Sequence, residues 1–179
     1  TADLTGPRRP VAILMISAHW YGPGLKLTAQ QTPETIHDFA GFPSALQQFS
    51  YPAAGAPALA QQIRQFLEPL EVQLDTDWGL DHGCWSVLCH AFPAADIPVL
   101  QLSLDSRQSP GWHLMLGQRL ALLREQGVLI AASGNLVHNL RLLEPQAMAA
   151  PGWALQFADR VRQLLQQRNW AELCRYSEW

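Results

Sequence analysis

The fold is decided by the stretch VAILMISAH, residues 11 to 19, which directly follows Pro10. The stretch has no helical period and about the length of one strand, as expected of a strand that is buried on both faces. Such strands occur mainly in parallel sheets that helices cover. Further apolar runs of strand length alternate with helical patterns along the chain, which indicates crossover connections. The sequence therefore predicts an α/β fold with a mostly parallel central sheet and helices on both faces.

The other elements are predicted from the same patterns and from turn residues. A helix is expected after Pro57, where apolar residues recur at helical spacing. Before it, residues 30–56 form a long irregular connection, and loops of that length in compact domains are usually functional. In the last helix, Leu155 and Leu165 are among the residues expected to face inward. The remaining strands are predicted at 25–29, 72–74, 97–104 and 128–132, and the remaining helices at 83–92, 112–126 and 153–168.

Composition limits the classes of function. Of the 179 residues, 48% are apolar and 15% are charged, against about 25% charged in an average domain, so a single packed domain over residues 1–179 is expected. A net charge of −3 without a basic patch argues against a nucleic-acid partner. The longest apolar run, Val11–Ile16, is far shorter than the roughly 20 residues of a membrane-spanning helix. Three cysteines without a CxxC pair favour free thiols and a cytoplasmic location.

Two histidines follow apolar strands at the place where open α/β sheets bind ligands. His19 ends the first strand, and His138 comes shortly after the last one. If these two strands are neighbours, both imidazoles converge on one cleft. His82 is expected at the start of a helix, and His37 lies in the long connection beside Asp38, a potential carboxylate partner. Each histidine can also be an ordinary hydrogen-bonded residue, since their spacing matches no metal motif such as HExxH.

Several segments, in the same order along the chain, resemble the class III extradiol ring-cleavage dioxygenases, in the branch described as 4,5-DOPA dioxygenase. The resemblance covers roughly residues 8–142 and implies the same α/β fold. The matching segments read SAHW at 17–20, TIHDFAGFP at 35–43, YPA at 51–53, WGLDHG at 78–83, DIPVLQLS at 96–103 and SGNLVHNLR at 133–141.

The resemblance implies a non-haem Fe(II) centre, or Zn(II) in some relatives, that acts on a catechol-type aromatic substrate with O₂. It places His19 and His138 at the metal, His138 also as the acid–base catalyst, His82 as a second catalytic residue of the pocket, and His37 in a loop that covers the substrate. Arg141, directly after the histidine motif, can pair with a substrate carboxylate. The family's first metal ligand falls before residue 1 and its last beyond residue 179. The chain is therefore expected to be part of a larger dioxygenase domain, and the alternative is a truncated relative that has lost the chemistry.

Two other functions stay open at this point. A zinc hydrolase on the same scaffold would use its metal to activate water and would not need O₂. A Memo-like binding module would take an aromatic guest without a metal, in a pocket formed by Trp20, Phe39, Phe42 and Trp85. Whichever function applies, the protein is expected to be a monomer or a homodimer.

Overall fold

The structure is a computed structural model that describes residues 9–41, 43–142 and 146–179, and it contains a five-stranded sheet. The strand order is β3-β2-β4-β1-β5. β1 pairs in parallel with both β4 and β5, β2 pairs in parallel with β3, and only the β2–β4 pair of this sheet is antiparallel. The predicted mostly parallel α/β fold is confirmed. The strands are β1 (Ala12–Gly22), β2 (Leu25–Thr28), β3 (Val72–Asp75), β4 (Val99–Asp105) and β5 (Val128–Ser133).

Helices connect or follow the strands as the alternating pattern predicted. The helix expected over 112–126 is shorter, because α-helical structure ends at Leu120 and a 3₁₀ helix continues to Gln126. Gly127, with a φ of 80°, then ends it in the left-handed conformation that favours glycine. Among the described helices, none is long and apolar enough to cross a bilayer. The helices are α1 (Ser44–Gln47), α2 (Pro57–Phe66), α3 (His82–Ala91), α4 (Pro110–Leu120), α5 (Gly152–Gln167) and α6 (Trp170–Leu173).

β1 is buried on both faces, as its sequence indicates. Ile13 and Met15 are fully buried in a core cluster to which α3 contributes Trp85 and Leu88. Leu14, which alternates with them, is also fully buried. Because successive side chains of a strand point to opposite faces, both faces of the sheet are covered at this strand.

The last long helix, α5, buries fewer residues than its pattern predicted. Val161 and Leu164 are buried, whereas Leu155 and Leu165 are 53% and 45% exposed. At 3.6 residues per turn, the apolar residues of α5 spread over a wide arc of the helix. Only the narrow face that carries Val161 and Leu164 is covered.

The described chain divides into two compact units. The first holds the described residues up to Gln108 together with Met115–Gly134, and it contains the whole sheet. The second holds Ser109–Leu114 and Asn135–Trp179, including α5 and α6. A single domain over residues 1–179 stays a prediction.

Tyr51 offers a test of how the core is held together. Its side chain is 2% exposed, and its hydroxyl donates to the Phe92 carbonyl at 2.8 Å. Burial raises the pKa of Tyr51 to about 12, in keeping with a neutral donor. Tyr51→Phe should lower the unfolding free energy by about 1 kcal/mol, since the Ala95 N–H still pairs the carbonyl. Urea unfolding measures this, and Tyr21→Phe, at a 62% exposed position, should have no effect.

Candidate functional site

His19 lies where the pairing of β1 is irregular. β1 and β4 stay in register up to Ile16 and resume pairing at Tyr21, while the pairing with β5 ends at Ser17. The backbone N–H of His19 donates to the Ser17 hydroxyl at 3.2 Å. Strand irregularities of this kind re-aim side chains and are common next to active sites. The exposed imidazole therefore stands at the carboxyl edge of the parallel strands, as predicted.

A second imidazole lies against His19. His82 is the first residue of α3, and the two ring centroids are 3.8 Å apart. The Nδ1–H of His82 donates to Asp38 Oδ1 at 2.6 Å, and the same oxygen accepts the backbone N–H of His82 at 3.2 Å. One ligand atom from each of the three residues lies within 4.8 Å of the other two. Two imidazoles and a carboxylate are a donor set that fits a divalent metal such as non-haem Fe(II) or Zn(II).

The Asp38 carboxyl is held in its charged form. Burial alone would raise its pKa, but the hydrogen bonds from the ring and the backbone of His82 outweigh burial and lower the pKa from its ordinary value of 3.8. A charged Asp38 accepts the Nδ1–H of His82, so in the neutral ring Nε2 carries the lone pair. Asp38 thereby fixes which nitrogen of His82 can accept a proton or bind a ligand.

Asp38 reaches α3 because the long connection is tied to the residues that precede this helix. The Ile36 N–H donates to the Leu80 carbonyl, and the Leu80 N–H donates to the Glu34 carbonyl, both at 2.7 Å. Gly79 permits this approach, because a Cβ at that position would overlap the Glu34 carbonyl oxygen. Backbone pairing thus brings the loop to the start of α3.

Asp38 pairs with His82 and not with its neighbour His37, contrary to expectation. The segment that carries His37 and Asp38 begins with a β-bridge at Thr35. In such extended backbone, neighbouring side chains point to opposite sides. The Nε2–H of His37 instead donates to the Phe49 carbonyl at 2.9 Å, and the ring lines a separate cavity of about 540 Å³. Asp38 was not predicted as a site residue, since its signal in the sequence is only a carboxylate in a long loop. The role of His37 as a substrate contact stays a prediction.

His138 and Arg141 belong to the second compact unit. Both are exposed and line a cavity of about 780 Å³ within that unit. The backbone N–H of Arg141 donates to the side-chain oxygen of Asn139 at 3.2 Å. β1 and β5 are neighbours, which is the condition that the sequence analysis attached to a shared cleft. The convergence of His138 with His19, and the functional roles of His138 and Arg141, stay predictions.

The rings considered for an aromatic pocket do not all meet. These rings are Trp20, Phe39, Phe42 and Trp85. Phe39 stands edge-on to His82 with ring centroids 5.5 Å apart, and its ring is 6.0 Å from that of Trp85, which is part of the core. Trp20 instead stacks on Trp78, and Phe42 lies outside the described residues. Among Trp20, Phe39 and Trp85, Phe39 is therefore the ring that lies against His82.

Gly83 offers a direct test of how tightly the site is packed. A Cβ at this position would lie 2.7 Å from Cδ2 of His19 and closer still to the Ser17 hydroxyl. Gly83→Ala should therefore lower the unfolding free energy by about 1–3 kcal/mol, as overpacking of a core does. Gly117→Ala is the matched control in α4, because nothing lies within 4 Å of its added Cβ and the helix should gain stability. Equal changes for both variants in urea unfolding would contradict the tight packing.

The fold and the site together define an α/β protein with a candidate metal centre at the carboxyl edge of its sheet. The chain belongs to the family described as "Catalytic LigB subunit of aromatic ring-opening dioxygenase", whose family model matches residues 2–179. The resemblance to class III extradiol dioxygenases is thereby confirmed.

Individual relatives agree with this family. The chain is 49% identical to the 4,5-DOPA dioxygenase extradiol of Escherichia coli (strain K12) over 156 residues, which are 86% of this chain and 58% of that protein. It is 39% identical to the protein of the same name from Beta vulgaris over 172 residues, 94% of this chain and 64% of that one. A crystal structure of the uncharacterized protein JW3007 from Escherichia coli K12 matches with a TM-score of 0.74 and 43% identity, covering 88% of this chain and 60% of that one. The chain thus spans 58–64% of the length of these relatives.

Proposed function

We propose that the protein is a metal-dependent extradiol ring-cleavage dioxygenase. In this reaction both atoms of O₂ enter a catechol-type substrate, the ring opens beside the diol, and a semialdehyde forms. The observation that carries the proposal is the contact of His19, at the end of β1, with the Asp38–His82 pair. Family membership supports it, as does the name of the relatives from Escherichia coli and Beta vulgaris.

The donor set supports a metal at this position. His19 is proposed as a metal ligand, and the resemblance implies the same residue. When bound, Fe(II) supplies Lewis acidity and electron transfer toward O₂. Because one ligand atom of each of the three residues lies within 4.8 Å of the other two, a second arrangement is also supported, in which Asp38 and His82 are ligands as well. The metal content of His82→Ala and Asp38→Asn distinguishes the two arrangements.

The other residues would bind the substrate and move its protons. In the neutral ring, Nε2 of His82 can accept a proton from a catechol hydroxyl, because Asp38 holds the Nδ1–H. His138 is proposed as the second acid–base group, which takes a proton from the substrate and returns one as the ring opens. Phe39, edge-on to His82, offers an apolar border for an aromatic ring.

Oxygen uptake tests the proposed function directly. The purified protein is loaded with Fe(II) without air, a catechol is added, and O₂ consumption is followed together with the absorbance of the ring-opened product. One O₂ consumed per semialdehyde formed is the expected result. Activity with Zn(II) and no need for O₂ would favour the zinc hydrolase, and binding of a catechol without metal or turnover would favour the binding module.

Arg141 and His37 are proposed as substrate contacts, and a pair of substrates can test the first of them. Arg141→Ala should raise KM about tenfold for a catechol that carries a carboxylate, since a charge-assisted hydrogen bond is lost. The KM for unsubstituted catechol should not change. His37→Ala should raise KM for both substrates, with a smaller effect on kcat. An Arg141→Ala variant that affects both substrates alike would contradict a carboxylate contact.

Where the protein acts is also a proposal. The absence of a CxxC pair and the partly or fully buried free thiols of Cys84, Cys89 and Cys174 support a cytoplasmic location. Whether the protein is a monomer or a homodimer stays open to measurement by light scattering.

A further inference from the structure

Behind the two histidines, Asp81 and Gln101 bind each other in both directions. The backbone N–H of Asp81 donates to Oε1 of Gln101 at 3.3 Å, and the Nε2–H of Gln101 donates to Oδ2 of Asp81. Both residues are fully buried. Gln101 lies in β4 opposite Met15 of β1. The pair therefore joins the centre of the sheet to the residue that precedes α3.

The other carboxylate oxygen of Asp81 caps α3. Oδ1 accepts the N–H of Cys84 at 3.0 Å, and the Asp81 carbonyl accepts the N–H groups of Cys84 and Trp85. A side chain that caps a helix in this way fixes its first turn. The first residue of this turn is His82. The position of His82 therefore depends on where Asp81 is held.

The first turn of α3 has no free space toward β1. At Gly83 even one added carbon would collide with His19 and Ser17. The ring centroids of His19 and His82 are already 3.8 Å apart. A small movement of Asp81 would therefore change the contact of the two imidazoles directly.

We infer that Asp81 and Gln101 are a positioning pair, which holds His82 in contact with His19. The pair acts through His82, and its consequence for turnover rests on the proposed function. The geometry of the pair does not rest on that function.

The hydrogen-bond pattern predicts which substitutions fail. Because Oε1 of Gln101 is bound to a backbone N–H, its Nε2–H must face an acceptor. Asp81→Asn leaves one acceptor for two donors, so the new NH₂ faces either the Nε2–H of Gln101 or the N–H of Cys84. A flip of the Gln101 amide only moves the donor–donor contact to the backbone. In the double variant Asp81→Asn/Gln101→Glu, both oxygens of the introduced carboxylate can accept, so the pattern is complementary again.

Two readouts test the inference. In metal-free protein with labelled histidines, a nuclear Overhauser effect (NOE) between the rings of His19 and His82 reports their contact. Asp81→Asn and Gln101→Glu should each weaken this NOE and lower kcat for catechol by about 10- to 100-fold, with little change in KM. The double variant should regain the NOE and most of kcat.

Asp105→Asn is the matched control. Asp105 is a buried carboxylate further along β4, and it accepts hydrogen bonds from Gly24 and Arg107. This variant should lose stability but keep the NOE and kcat. The inference is wrong if Asp81→Asn keeps the NOE, or if Asp105→Asn loses it to the same extent.

The double variant keeps the test decisive if Asp81→Asn does not fold. A folded double variant with the NOE supports the inference. A folded one without the NOE, or one that does not fold, overturns it. Wild-type protein that shows the NOE without any turnover contradicts the proposed function and leaves the positioning pair in place.

Discussion

His19→Ala should abolish both metal binding and ring cleavage. The residue is the histidine at the irregular end of β1, and it is the proposed ligand on which the site geometry and the family resemblance agree. Removal of a residue that only hydrogen-bonds a ligand lowers metal affinity by up to about 100-fold. Removal of the ligand itself should lower it further. Metal content by elemental analysis and O₂ uptake with a catechol measure the two effects. His90→Ala, at an exposed position of α3, is the control and should change neither.

The same two measurements separate His19 from His138. His138→Ala should retain the metal, because its proposed role is acid–base catalysis, and it should lose about 10²–10⁴-fold in kcat. If His138→Ala loses the metal as His19→Ala does, His138 is a ligand. If it turns over at the normal rate, it has neither role.

Much of the fold could be predicted because its signals are local. The apolar run of residues 11–16 indicates a buried strand without reference to the rest of the chain, and helices and strands alternate visibly after it. His19 could be found for the same reason, since it directly follows such a strand. The adjacency of β1 and β5 could only be stated as a condition, because the apolar character of two strands does not give their order in the sheet.

The partners of the candidate site could not be predicted in this way. Asp38 and His82 are 44 residues apart, and the loop that brings them together has no periodicity. Two backbone hydrogen bonds of Leu80 and the close approach that Gly79 permits position the loop. Neither feature can be recognised from composition. Asp81 and Gln101 pair across 20 residues, between a strand and a helix cap. Their match depends on strand register, which the sequence alone left open.

The exposure of apolar residues on α5 could not be predicted for a related reason. A helical pattern tells which residues share a stripe, but the share of that stripe that is covered depends on neighbouring elements. Val161 and Leu164 are covered, and Leu155 is not. The stacking of Trp20 on Trp78 could not be predicted either. The two residues are far apart in the sequence, and a local pattern of apolar residues does not show which distant side chains meet.

His82→Ala should lower kcat by about 10²–10⁴-fold while the metal stays bound, because His82 is proposed to accept a substrate proton through Nε2. Asp38→Asn should lower kcat by less, about 10-fold, since the amide oxygen can still accept the Nδ1–H of His82. Both variants are measured by O₂ uptake and by metal content. A loss of metal in His82→Ala as complete as in His19→Ala would show that His82 belongs to the ligand set, and the same loss in Asp38→Asn would show it for Asp38.

The pH dependence of stability gives an independent measure of the Asp38–His82 pair. Hydrogen bonds from His82 hold the pKa of Asp38 below 3.8 in the folded protein, against the opposing effect of burial. A carboxyl whose pKa is lowered by folding stabilises the folded state above its unfolded pKa, and that contribution is lost as the pH falls through the folded value. Asp38→Asn should therefore be less stable than wild type at pH 6, and the difference should shrink as the pH drops below 3.8. Urea unfolding at several pH values measures this, and a difference that stays constant would mean that the charge of Asp38 does not stabilise the pair.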